Sequence, residues 1–134
     1  MKANMRTPRR AAALILCLAA SPSLPALAAP PSGDPSRGAA FYESHCGACH
    51  SLDANRVGPM HRGVVGRKAG SVAGFHYTHA LAVSGIVWTA DALDRWLTNP
   101  QAVVPGTAMG LRVSSPQDRA DVIAYLRRQT AAKK

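Results

Sequence analysis

Cys46-Gly47-Ala48-Cys49-His50 decides how the rest of this chain is read. Two thiols three positions apart fall on one helical turn, and the residue after them carries an imidazole. Sulfurs so spaced can add to the two vinyl groups of a haem while the imidazole approaches its iron. C-x-x-C-H is the attachment pattern of a c-type haem. Taken alone, the five residues also admit a redox dithiol, half of a zinc site, or chance.

The flanking sequence narrows these readings. Lys2, Arg6, Arg9 and Arg10 form a basic head without an acid, and Ala11 to Ala20 is an apolar run too short to span a bilayer. Pro22 and Pro25 interrupt any helix, and Ala26-Leu27-Ala28 gives a small-x-small cleavage site. Residues 1–28 therefore read as a cleaved secretory signal peptide, which sends the protein to the periplasm. The competing reading, an uncleaved anchor, suits neither the short run nor the prolines, so no stable membrane anchor is expected. Cys17 leaves with the signal. The two thiols that remain close almost no loop, so a disulfide between them would be a poor staple. No β-α-β pattern surrounds them, as a thioredoxin-like dithiol would require.

Cleavage also removes four of the 16 basic residues, lowering a formal charge of +9 by four. No basic run is interleaved with stacking aromatics, so nucleic acid binding is not expected. The residual charge steers weakly toward acidic partners.

Residues 29–33 read as a flexible lead-in and 34–130 as one small domain, followed by a basic tail over 131–134. Asp34-Pro35 reads as a helix cap and first position, with the helix reaching about Cys46. Gly38 and Tyr42 share one face of it. Ser51 to Gly74 holds five glycines and Pro59 with no period of 2 or 3.6. A loop this long suits a compact domain when it wraps a cofactor. Thr78 to Ser84 reads as a short helix ended by Gly85. Thr89 caps a better one, with Leu93, Trp96 and Leu97 on one face, ended at Asn99-Pro100. Gln101 to Ser114 is irregular. Ser115-Pro116-Gln117-Asp118 starts a last helix packing through Val122, Ile123, Tyr125 and Leu126. The expectation is an all-α fold, three main helices and one short helix wrapped with long loops around a covalent haem. Such a small chain has a limited core of its own, and a flat apolar cofactor would supply the rest.

If His50 binds one face of the iron, another residue binds the opposite face. Met60 and His61 lie about ten residues on, on the chain leaving the His50 side. Met109 is far enough away for the chain to round the ring edge, and Thr107, Ala108 and Gly110 beside it are small. A lone methionine is more often core filler; in an irregular segment opposite a haem motif, Met109 is the favoured ligand.

From Gly33 to Arg128 the chain resembles a class I cytochrome c of the mitochondrial and photosynthetic-bacterial type. The matching stretches are C-G-A-C-H at 46–50, V-G-P at 57–59, G-R-K-A-G at 66–70, G-F-H-Y-T at 74–78, S-G-I-V-W at 84–88, P-G-T-A-M at 105–109 and D-V-I-A-Y-L at 121–126. Their order and spacing are specific together. The resemblance implies one haem c held by Cys46 and Cys49, with His50 and Met109 as axial iron ligands. Pro59 would accept from the other imidazole nitrogen of His50. Arg67, Tyr77, Trp88 and Thr107 would line the propionates, and Trp96 would pack on the haem. Gly38 and Tyr42 would meet Val122 and Tyr125 where the first and last helices cross.

Four departures bear on these implied roles. Leu81 stands where the family often has asparagine and Trp96 where it usually has tyrosine. The polar network behind Met109 is therefore thinner, and an indole N–H is expected to take the place of a phenol. Gln101, Ala102 and Ala108 stand where lysines ring the haem edge, and His45 also replaces a lysine. His61 falls near an expected core leucine and is read as a local rearrangement rather than a ligand.

The expected function is one-electron carriage through an exposed haem edge, as a monomer in a respiratory or related chain. Its expected partners are redox proteins: a membrane-bound oxidase or reductase complex, or a periplasmic dehydrogenase. No catalytic residue is evident, and an enzyme in the bond-making sense is not expected. The alternative is a haem protein with a labile sixth ligand, acting as a peroxidase or a sensor of diatomic ligands.

Overall fold

The carboxylate of Asp34 accepts the backbone N–H groups of Ser36 and Arg37, and Pro35 follows at the first helical position. That cap starts α1 (Pro35–Phe41) in a computed structural model that describes residues 31–131. The signal expected over 1–28, residues 29 and 30 of the lead-in and residues 132–134 of the tail lie outside the described residues.

Between Tyr42 and Cys46 the coil widens into a π-helical turn, where the sequence predicted an uninterrupted α-helix. The Gly47 N–H reaches back to the Tyr42 carbonyl at 2.9 Å. The Ser44 hydroxyl donates to the carbonyls of Ala40 and Phe41 at 2.9 and 3.2 Å. Such back-bonding competes with the α ladder, and π turns of this kind gather at functional sites. Here the wide turn delivers Cys46 to the interior.

The last helix, α5, spans Pro116–Ala131 and runs beyond the Arg128 expected from sequence. Its start is capped by Ser115, whose hydroxyl accepts the Asp118 N–H at 3.2 Å. α1 crosses α5 at backbone contact. A Cβ on Gly38 would sit 2.0 Å from the carbonyl oxygen of Asp121, so only glycine fits there. Asp121 then ties the crossing together. It accepts from the Asp34 N–H at 2.6 Å, from Arg37 Nε and Nη2 at 2.7 and 3.0 Å, and from Gln117 Nε2 at 2.8 Å.

Three helices between them complete the shell. α2 (His79–Ala82) is capped by the Thr78 hydroxyl, which accepts the Leu81 N–H, and Gly85 follows at φ +70°. α3 (Ala90–Thr98) is capped by Thr89 and buries Ala92, Leu93, Trp96 and Leu97. α4 (Pro100–Val103) lies where the sequence predicted irregular chain. Asn99-Pro100, read as a stop, is also a start: Asn99 accepts the Ala102 N–H and proline occupies the first helical position. Arg119 of α5 links these parts, donating to Asp94 Oδ1 at 2.7 Å and to the carbonyls of Val113 and Ser114.

The long glycine-rich loop is tied to the chain before α3 by one antiparallel bridge, Lys68 with Val87. Ala69 N–H donates to Ile86 O at 2.7 Å, and Gly66 and Arg67 exchange bonds with Trp88 at 2.9 Å each. This is the only extended pairing among the described residues. The molecule is an all-α, loop-rich domain. Among the described residues no helix is long and apolar enough to cross a membrane.

Candidate functional site

The two thiols and the imidazole arrive on one turn. The N–H groups of Cys49 and His50 both reach the Cys46 carbonyl, at 3.1 and 2.8 Å. Both sulfurs are free; Cys46 is buried and Cys49 exposed. Burial, helped by the neighbouring Cys49, pushes the Cys46 thiol up to about 11. Redox dithiols owe their reactivity to a thiol pKa moved the other way. Nor does any group of three or more His, Cys, Asp or Glu able to hold a metal come together among the described residues.

His50 is fixed from two sides. Its Nδ1 lies 2.8 Å from the carbonyl oxygen of Pro59, which orients the ring and leaves Nε2 as the nitrogen able to bind a metal. Burial pulls its pKa below the ordinary histidine value, with the Pro59 carbonyl opposing that shift, so the neutral form is favoured. Gly58 supplies the second constraint. A Cβ there would sit 2.1 Å from His50 Cε1, so the imidazole lies flat against bare backbone. The sequence reading quoted Gly58 within V-G-P and gave it no role; its signal was the glycine immediately before the proline.

These residues form one side of a cavity of about 430 Å³ that is mostly apolar, within the size range of cofactor sites. Its wall includes Cys46, Cys49, His50, Pro59, Arg67, Tyr77, Trp88, Trp96, Thr107 and Met109. Every residue singled out for the site from sequence borders this one space. Met60 does not border it; its carbonyl accepts from Arg67 Nη2 at 2.7 Å. His61 does, but on the His50 side, its ring stacked on that of His50 with centroids 3.9 Å apart.

The chemistry of the wall fits a haem. The indole N–H of Trp96 donates to Met109 Sδ at 3.1 Å, which holds the thioether in the cavity wall. Leu81 adds apolar surface there. Arg67 has donors on the carbonyls of Met60 and Arg62 and no carboxylate ion pair among the described residues. Burial lowers its pKa, against the pull of Tyr77. A half-buried cation lining a cavity without a protein counter-ion suits an anionic group such as a propionate. Trp88 and Thr107 are buried at the same wall, and neither side chain makes a hydrogen bond among the described residues. Tyr77 Oη accepts the Val72 N–H at 3.4 Å, which leaves its own proton to donate.

The fold and site define a haem-binding protein of the small, all-α, loop-wrapped class. The chain belongs to the cytochrome c family, whose model matches residues 35–130. Cytochrome c2 from Rhodopila globiformis is 47% identical over 99 residues, covering 72% of this chain and 93% of that protein. Cytochrome c from Cochliobolus lunatus is 42% identical over 102 residues, covering 73% and 94%. The solved structure of cytochrome cH from Methylobacterium extorquens superposes with a TM-score of 0.69 at 41% identity, over 72% of this chain and 99% of that one. Like the family, the chain binds one covalently attached haem c and is a haem-containing electron carrier.

Proposed function

We propose that this chain is an exported, periplasmic carrier of single electrons, with His50 and Met109 as the axial ligands and Cys46 and Cys49 as the thioether anchors. The observation that carries the reading is the pairing of two positioned donors at one cavity. His50 is oriented by Pro59 at 2.8 Å and Met109 by Trp96 at 3.1 Å, and both border the space that receives the haem. Two firm ligands would leave the iron no open position in either oxidation state, so little would rearrange when an electron moves. On that ground the chain acts as a carrier rather than an enzyme.

The haem supplies the reversible one-electron couple. The chain's own residues bind it, orient the two donors and exclude water. Arg67, Tyr77, Trp88 and Thr107 hold the propionate end, and Trp96 packs on the face that Met109 serves. Electrons pass at the rim of the cavity, where Val57 is 78% and Leu111 38% exposed and Ala108 is also exposed. Arg56 and Arg112, both exposed, flank Val57 and Leu111 at that rim. The redox partner, an oxidase or reductase complex in the membrane or a periplasmic dehydrogenase, meets apolar surface bordered by positive charge, so the association weakens as salt rises. The signal over 1–28 and its basic head support export, with residues 34–130 forming the working domain.

Spectroelectrochemical titration of the purified holoprotein tests the reading. Expected are one haem per chain, low-spin spectra in both states, the weak ferric band of sulfur–iron ligation, and one Nernstian electron. High-spin ferric bands at neutral pH would overturn it and favour the alternative, a labile sixth position serving peroxidase or diatomic-sensor chemistry.

A further inference from the structure

Two buried polar atoms have no hydrogen-bond partner among the described residues: Tyr42 Oη and His61 Nδ1. They are neighbours. The rings meet edge to face with centroids 5.7 Å apart, and His61 in turn stacks on His50 at 3.9 Å with 20° between the planes. Tyr42 is buried, 6% exposed, and is backed by Tyr125 at 5.4 Å. Orphaned polar atoms sealed from solvent each cost the full desolvation of the group. Two of them on rings in contact, next to His50, form a site rather than two defects.

We propose that Tyr42 and His61 bind one buried water between them and act as a single positioning unit behind His50. The Tyr42 hydroxyl donates to the water, and the water donates to His61 Nδ1. That gives a buried water two polar partners, the fewest that hold one. It also fixes His61 as the tautomer protonated on Nε2, because the bond accepted at Nδ1 sets where the proton resides. The imidazole so held stacks on that of His50 with centroids 3.9 Å apart, restraining rotation of the His50 ring. The unit also brings oriented dipoles to the His50 side of an otherwise apolar pocket. Oxidation adds one positive charge at the iron, and nearby dipoles and water stabilise that charge more than hydrocarbon does. Tyr42 and His61 therefore hold the reduction potential below the value an apolar pair would give.

The proposal rests on His50 being the axial ligand for its effect on potential, but not for the coupling of the two side chains. A double-mutant cycle separates the two. Tyr42→Phe and His61→Leu, singly and together, are prepared as holoprotein. Each single variant strands the other polar atom, so each is expected to lower Tm. The double variant strands neither and is expected to recover most of that loss. The potential is expected to rise in each single variant and to rise no further in the double one. Additive changes, or a potential unmoved in every variant, would overturn the unit. Should His61→Leu fail to fold, the ferrous wild-type protein supplies the second measurement. A slowly exchanging Tyr42 hydroxyl proton is expected by NMR, with one ordered water touching Oη and Nδ1 in a crystal structure. A direct Oη–Nδ1 bond, or separate partners for the two atoms, would also overturn it. Loss of His50 ligation in the wild type would be visible in its spectrum, and would count against the proposed function rather than against the coupling.

Discussion

The indole N–H of Trp96 donates to the sulfur of Met109 over 3.1 Å. Trp96 is 5% exposed and its ring meets Trp88 edge to face at 5.1 Å, so the donor has little freedom to turn away. A hydrogen bond to a thioether draws off lone-pair density that would otherwise stabilise ferric iron. Trp96→Phe keeps an aromatic filler and removes the donor. The potential of the holoprotein is expected to fall by about 20–60 mV, the one-electron equivalent of a hydrogen bond contributing about 0.5–1.5 kcal/mol. Cyclic voltammetry measures it; an unchanged potential with intact sulfur–iron absorption would remove the bond from any role in tuning.

The same residue shows what a sequence can carry. An indole N–H near Met109 was legible only through the resemblance, which sets Trp96 where the family usually has tyrosine; the helical period by itself gave no more than a buried face carrying Leu93, Trp96 and Leu97. The cap residues Asp34, Thr89 and Ser115 were legible without it, because their chemistry is local. α4 was not. Its four residues carry no apolar period, and Asn99-Pro100 stops one helix in the act of starting another. The π turn at 42–46 was also hidden, since it depends on where the Ser44 hydroxyl points. His61 was read as a rearrangement, and its stacking on His50 depends on a loop path that no short-range pattern encodes.

Gly58 separates a steric requirement from a conformational one. Its backbone is not in the left-handed region, yet any Cβ would meet the His50 ring at 2.1 Å. Gly58→Ala is expected to push the imidazole off Pro59, with an overpacking cost of about 1–3 kcal/mol. Tm of the holoprotein should fall and the yield of haem-loaded protein drop. A Gly58→Ala variant with wild-type Tm and haem yield would refute the contact.

Asp121 makes the acid limb of the stability curve predictable. The Arg37 guanidinium bonded to it, with the Asp34 N–H and Gln117 also donating, holds its carboxyl down to about 2 against an ordinary 3.8, although burial opposes that shift. A carboxylate whose folded pKa is depressed contributes stability above its unfolded pKa and loses it as pH falls toward the folded value. Wild-type stability is therefore expected to decline between about pH 4 and pH 2 partly through this residue. Asp121→Asn should be less stable at pH 7 and show a shallower decline over that window, measured by denaturant titration at several pH values. Parallel curves for the two proteins would mean that the α1–α5 crossing does not depend on the charge.

Removing the haem tests whether the fold depends on it. Leu93, Trp96, Leu97, Val122 and Leu126 are core residues and also border the cavity. Four of the five described α-helices have 9 residues or fewer, lengths that are unstable in isolation. Without the group, those side chains lose the surface they pack on, and the α1–α5 crossing must hold alone. Cys46→Ser with Cys49→Ser removes both covalent anchors. The purified double variant, stripped of non-covalent haem, is expected to lose most of its far-UV helical signal and to unfold without a cooperative transition. Retention of a cooperative transition would show that the chain closes its own core. Single variants sharpen the comparison: Cys46 is buried and Cys49 exposed, so Cys46→Ser places a hydroxyl in the apolar interior and should lower Tm more than Cys49→Ser.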